Sequence, residues 1–173
     1  MKTKTLIFLT IISCLPLFNG CSLFEPDDAW LKPLPPSNTL PPATQVGANT
    51  FGCKLNGEVW LPITTWVDYE AGTLLITTEK KMGNTSSVKL YLKNIYKQGV
   101  FYIGDSTINF TRSTYVYNSK FYYTDSIYTG QLFITRFDTI NSILSGTFWF
   151  DARDKTTGEV VHITEGRFDN KYN

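Results

Sequence analysis

The chain has 173 residues, a net charge of +1 at neutral pH, 42% hydrophobic and 15% aromatic residues, three cysteines and one histidine. So balanced a charge argues against nucleic-acid binding and against a basic membrane patch. One histidine and three cysteines leave no donor set for a zinc or iron–sulfur centre, and no loop has calcium-site spacing; no metal and no cofactor is expected.

Residues 1–20 read as a lipoprotein signal peptide. Lys2 and Lys4 give a basic start, and Leu6 to Leu17 is mostly apolar. That stretch is too short for a membrane span, which needs about 20 apolar residues. Gly20 then precedes Cys21, as in a lipobox, although Phe18 stands where leucine is usual. Cleavage before Cys21 would free its thiol and amine for acylation, and two or three acyl chains make a permanent anchor where one does not. Cys21 is therefore the expected lipidation site. The mature chain would carry 14 basic and 15 acidic residues. Cys53 would be its one remaining thiol, read as a buried strand residue.

Residues 21–48 form the lipidated cysteine and a linker. Six of the eight prolines lie here, from Pro26 to Pro42. Such a segment lacks backbone donors and builds no core of its own. Glu25, Asp27 and Asp28 form an acidic cluster after Cys21.

Residues 49–173 hold the β domain. Thr50–Leu55 and Glu58–Leu61 flank Asn56-Gly57, a strong hairpin signal. Thr73–Thr78 follows. Val88–Asn94 alternates cleanly, with Val88, Leu90 and Leu92 on one face and Lys89, Tyr91 and Lys93 on the other. Further strands are predicted at Gly99–Ile103, Thr107–Arg112, Thr114–Tyr117, Lys120–Thr124, Gln131–Phe137, Ile143–Ala152 and Glu159–Phe168. No window shows a convincing helical period. About ten short strands with short connections predict a single all-β domain, an antiparallel β-sandwich or barrel. Trp60 and Trp66 are read as core or sheet-edge aromatics, and Gly146 as a bulge or close backbone approach.

Three groups of motifs carry a resemblance. They are Leu40-Pro41-Pro42-Ala43-Thr44-Gln45 with Asn49-Thr50-Phe51-Gly52-Cys53; Asn56-Gly57-Glu58-Val59-Trp60; and Ser145-Gly146-Thr147-Phe148-Trp149-Phe150 with Gly166-Arg167-Phe168-Asp169. Together they resemble an uncharacterised family of Bacteroidota lipoproteins, a domain of unknown function. The resemblance implies an all-β domain behind a lipid anchor and carries over no catalytic residue. The acidic cluster after Cys21 is similar to the surface-export signal of such lipoproteins; a lipid-anchored outer-membrane address is the expected localisation, with periplasmic and external display both open.

The residues offer no catalytic set. His162 is the one histidine, no Gly-x-Ser-x-Gly elbow exists, and a partly buried structural role is expected for it. Asp151 and Asp154, with Glu159 or Glu165 across the final hairpin, are the one conceivable carboxylate pair for glycoside cleavage. Five of ten tyrosines fall between 115 and 128. Tyr115, Tyr117 and Tyr123 are the candidate ligand-binding platform, because exposed aromatic rows stack on sugars or pack on protein partners. Three Asp-(Ser/Thr)-x triplets match an O-glycosylation pattern common in exported Bacteroidota proteins, and make Ser106, Ser126 and Thr139 candidate acceptors. The expected function is non-enzymatic: a membrane-anchored envelope lipoprotein whose β domain binds a glycan or protein partner. The alternatives are a glycan-binding accessory of an uptake system and a carbohydrate-active hydrolase.

Overall fold

A computed structural model describes residues 38–104 and 111–172. The signal peptide, Cys21, most of the linker and Ser106 lie outside the described residues. Within them there is no helix, and eleven antiparallel strands form one curled sheet.

The strands are β1 Thr50–Leu55, β2 Glu58–Trp60, β3 Thr64–Glu70, β4 Thr73–Met82, β5 Asn84–Leu92, β6 Gly99–Ile103, β7 Arg112–Tyr117, β8 Lys120–Tyr123, β9 Gly130–Asp138, β10 Ile143–Arg153 and β11 Val160–Lys171. Their main order is β2-β1-β11-β10-β8-β7-β5-β4-β3, and β9 with β6 forms a second wing on β10. The long β10 makes this fork. Its first eight residues pair with β9, and its end, at Arg153, meets Tyr123 of β8. The wings curl so that their inner faces share one core, a half-barrel that belongs to the expected all-β, sandwich-or-barrel class.

Local chemistry accounts for the turns. Asn56-Gly57, Ala71-Gly72 and Asn118-Ser119 each place both turn residues at positive φ. That conformation matches the right-handed twist of a two-residue hairpin. Asn and Gly enter it readily, but Ala71 does not, and β3 escapes the sequence reading because its turn lacks a signature. Trp66 sits on this edge strand with half its surface exposed. Gly146 is a close approach, as expected: an added Cβ would lie 2.5 Å from the Phe133 carbonyl oxygen, beside a register shift in the β9–β10 pairing.

The core follows from period two. Leu74 and Ile76 of β4, Val88, Leu90 and Leu92 of β5, Leu132 and Ile134 of β9, and Phe148 and Phe150 of β10 are all buried. Each such side chain contributes about 1.5–3 kcal/mol when removed from water. Cys53 lies in this core, where burial pushes its thiol up to about 12. It stays protonated at neutral pH and packs as a small apolar group.

The chain N-terminal to β1 is part of this body. Pro41 is buried, and residues 44–48 cross β10 and β11 as a strap. Asp169 pins it. Its carboxylate accepts hydrogen bonds from Thr44 Oγ1 (2.6 Å), Ser145 Oγ (2.6 Å) and the backbone N–H groups of Val46, Gly47 and Ala48. Burial alone would push this carboxyl up; the bonds from Ser145, Thr44, Val46 and Gly47 outweigh it and hold it down at about 2. Residues 40–48, read from sequence as the end of the linker, are thus packed on the sheet.

Candidate functional site

The tyrosine platform does not assemble. Tyr115 is only 5% exposed, with its ring tilted on Tyr122 at 5.7 Å in the core. Its hydroxyl is pushed up to about 12, mainly by burial. Tyr117 shares its face but is exposed near the turn, where its hydroxyl accepts a hydrogen bond from Asn84. Tyr123 stands on the opposite face, stacked on Phe121 with Arg112 over its ring. Cross-strand register causes the split: Tyr115 pairs with Tyr122, and Tyr123 with Thr114. Side chains alternate between faces along each strand, so the three tyrosines cannot share one surface.

The exposed aromatic face lies elsewhere, on β6, β9 and β10. Tyr102 is 68% exposed, Phe133 47% and Trp149 42%. Register sets them in rows. Tyr102 pairs with Gln131, which pairs with Trp149; Val100 pairs with Phe133, which pairs with Thr147, which pairs with Arg167. A groove of about 280 Å³ runs between Phe133, Trp149 and Arg167, floored by Thr147 and Gly166.

A bulge on β11 builds the far wall. The β10–β11 register slips between Phe148 and Phe150, and the β1–β11 register slips at the same place. The extra residue leaves Thr164 and Glu165 both exposed, with Glu165 at φ 49°. A non-glycine residue there is strained, and bulges of this kind re-aim a side chain. Glu165 meets Lys54 Nζ at 2.6 Å and Arg167 Nη2 at 3.7 Å. The Lys54 hydrogen bond is the main reason its carboxyl falls below the usual range. Gly166 is required beneath: a Cβ would lie 2.5 Å from the Phe148 ring. The acid that Arg167 meets, Glu165, thus lies on its own strand.

The carboxylates considered for glycoside cleavage are each held by other groups, Asp154 and Glu159 sharing Lys120. Asp151 is cross-strand from His162, Oδ1 to Nδ1 2.7 Å, and both side chains are exposed. His162 is therefore a surface residue, not the partly buried one expected, because β11 turns it outward. Asp154 accepts hydrogen bonds from Thr156 N and Thr157 Oγ1, and Glu159 pairs with Lys120 at 2.5 Å. Among the described residues no cluster of three or more His, Cys, Asp or Glu could hold a metal ion.

Ser126 and Thr139 sit in two turns of the same design. Asp125 Oδ1 accepts from the N–H groups of Ile127 and Tyr128, and Asp138 Oδ1 from those of Ile140 and Asn141. Both hydroxyl residues are exposed, and so are Ile127 (73%) and Ile140 (92%).

A family model described as a domain of unknown function, DUF6252, matches residues 48–170. The chain belongs to this family. No curated protein and no solved structure matches it. The matched span runs from just before β1 to near the end of β11, so it holds the aromatic groove, Ser145 and Asp169, while Thr44, Val46 and Gly47 of the strap lie just before it. Sequence reasoning missed the groove because Phe133 and Trp149 lie inside the apolar runs Leu132-Phe133-Ile134 and Phe148-Trp149-Phe150. The one sequence signal for it is the triplet Glu165-Gly166-Arg167, charges around a glycine where the alternation of Val161 and Ile163 breaks before Phe168.

Proposed function

We propose that this protein is a lipid-anchored lipoprotein of the cell envelope, at the outer membrane, whose β domain is a non-catalytic binding module. The observation that carries the binding half is the exposed face of Tyr102, Phe133 and Trp149, with a groove between Phe133 and Trp149. Three large aromatics left in water on neighbouring strands lose the burial that would otherwise stabilise the fold, and such patches are kept where a ligand or partner covers them. The anchoring half rests on the lipobox-like sequence ending at Cys21 and on the proline-rich stretch that follows it. The packed strap at residues 44–48 then sets where that tether would join the sheet.

Feeding cells an alkyne fatty acid tests the anchor. The wild-type chain becomes labelled and sediments with membranes, whereas Cys21→Ala does neither; equal labelling of both would sink it. For the binding face, cells carrying the Trp149→Ala and Tyr102→Ala chain lose photo-crosslinks that the wild-type chain forms with envelope material through a benzophenone placed at Thr147. Unchanged crosslinks would remove the face from the proposal.

The exposed hydroxyls of Ser126 and Thr139, presented by matching aspartate-capped turns, favour O-glycan attachment as part of the same envelope role. Intact mass of the protein from its own host decides this: saccharide mass lost on Ser126→Ala and Thr139→Ala supports it, and a mass of polypeptide plus lipid alone ends it.

A further inference from the structure

We infer that the groove takes an anionic saccharide chain, one whose sugars carry carboxylate or sulfate groups, laid across the strands from Tyr102 towards Arg167. This rests on the reading of that face as a binding surface and adds the chemistry of the ligand.

Three observations carry it. First, Tyr102 and Trp149 stand two strands apart with Gln131 between them in one register row. Two strand spacings put them about 10 Å apart, close to the length of a disaccharide unit. The sugar's C–H face stacks on each ring, and the planar amide of Gln131 meets the hydroxyls between them.

Second, the adjacent row, Val100-Phe133-Thr147, ends at Arg167, beside the Glu165 bulge. Lys54, Glu165 and Arg167 sum to one uncompensated positive charge beside the groove. Glu165 is held tightly by Lys54 at 2.6 Å and loosely by Arg167 at 3.7 Å. The Nε–H and one Nη1–H of Arg167 donate to carbonyl oxygens, at 3.2 Å to Glu165 and 3.5 Å to Pro41. These long bonds are readily exchanged for a carboxylate or sulfate, which a guanidinium grips in a two-point contact.

Third, strain marks the same place. Glu165 occupies φ 49° in the bulge, and Gly166 can carry no Cβ without striking the Phe148 ring. The backbone is held in a costly shape just where it fixes the charged wall.

The test uses the full-length lipoprotein in detergent micelles, titrated with polygalacturonate, chondroitin sulfate and neutral galactan. The wild-type chain binds one or both anionic polymers at least about tenfold more tightly than galactan, and added salt erodes the difference. Trp149→Ala weakens that binding about tenfold, the loss of one ring contact. Tyr102→Ala, at a more exposed site, does the same without touching the core. Arg167→Gln removes the preference for anionic polymers, and Arg167→Lys restores part of it. Equal binding of galactan and the anionic polymers, or Arg167→Gln leaving the preference intact, overturns the anionic assignment. No saccharide binding, with the Thr147 crosslinks to an envelope protein still dependent on Trp149 and Tyr102, overturns the saccharide and keeps the binding face. Loss of both dependences overturns both.

Discussion

Two carboxylates four residues apart on β11 have opposite surroundings. Asp169 is buried and takes five hydrogen bonds, all from neutral donors: two hydroxyls and three backbone N–H groups. Glu165 is exposed and is held by two cations at the ends of flexible side chains. Both carboxyls are depressed, but by donors of different kinds. The neutral donors around Asp169 are backbone and hydroxyl groups fixed by the strap and β10, so the carboxylate is part of the fold. The cations around Glu165 stay wet whichever partner they hold, so they remain exchangeable. One strand therefore supplies a permanent pin at one point and an adjustable wall at another.

The contrast can be broken at its strong end first. Asp169→Ala strands three backbone donors under the strap, and each unmet buried donor costs about 1–3 kcal/mol. A loss of roughly 3–5 kcal/mol is expected in urea unfolding, among the largest for a single site. A loss no larger than an ordinary surface change would mean the strap contributes nothing to the body. Next in size is Gly166→Ala, which drives a Cβ into Phe148 and costs about 1–3 kcal/mol by overpacking. Its thermal midpoint should fall while that of Gly57→Ala, where an added Cβ meets nothing, falls only through the strain of its φ of 89°.

Acid separates the two carboxylates by pH. Asp169 drops from 3.8 to about 2 on folding, so its stabilisation is complete above pH 3.8 and is lost as pH falls towards 2. In Asp169→Asn that part of the acid-unfolding curve should flatten, with stability lower at neutral pH. A wild-type slope surviving in Asp169→Asn would assign the acid sensitivity to other groups, such as Asp138, which Asn141 and Arg136 hold well below the usual range. The smallest effect belongs to Glu165. Glu165→Gln should leave the thermal midpoint almost unmoved, because exposed ion pairs contribute little. Glu165→Gly should raise it slightly, since glycine occupies φ 49° without strain. A large drop in either would turn the adjustable wall into a second pin.

The pin joins residues from three separate stretches of the chain. Thr44, Ser145 and Asp169 lie far apart in sequence, yet they meet through 2.6 Å hydrogen bonds. Their spacing of more than 100 residues between the first two hides this from any local pattern. The same limit applies to the aromatic face. In Leu132-Phe133-Ile134 and Phe148-Trp149-Phe150 every residue is apolar, so alternation cannot say which face meets water. Tyr115-Val116-Tyr117 has the same ambiguity, and there the ring expected outside is inside.

The sequence by itself determined what depends on neighbours along the chain. Period-two runs placed ten of the eleven observed strands close to their positions, β3 being the exception; a further predicted strand, Thr107–Arg112, lies mostly outside the described residues. Asn56-Gly57 set its hairpin, and Gly146 announced a close contact. These follow from φ/ψ preference and side-chain alternation, which act over a few residues. Only the tertiary structure decided which aromatics are exposed, where the bulge aims Glu165, and that Asp169 reaches back more than 120 residues to hold the strap. Those outcomes depend on sheet register and curl, and a one-residue slip of register would exchange the core for the surface.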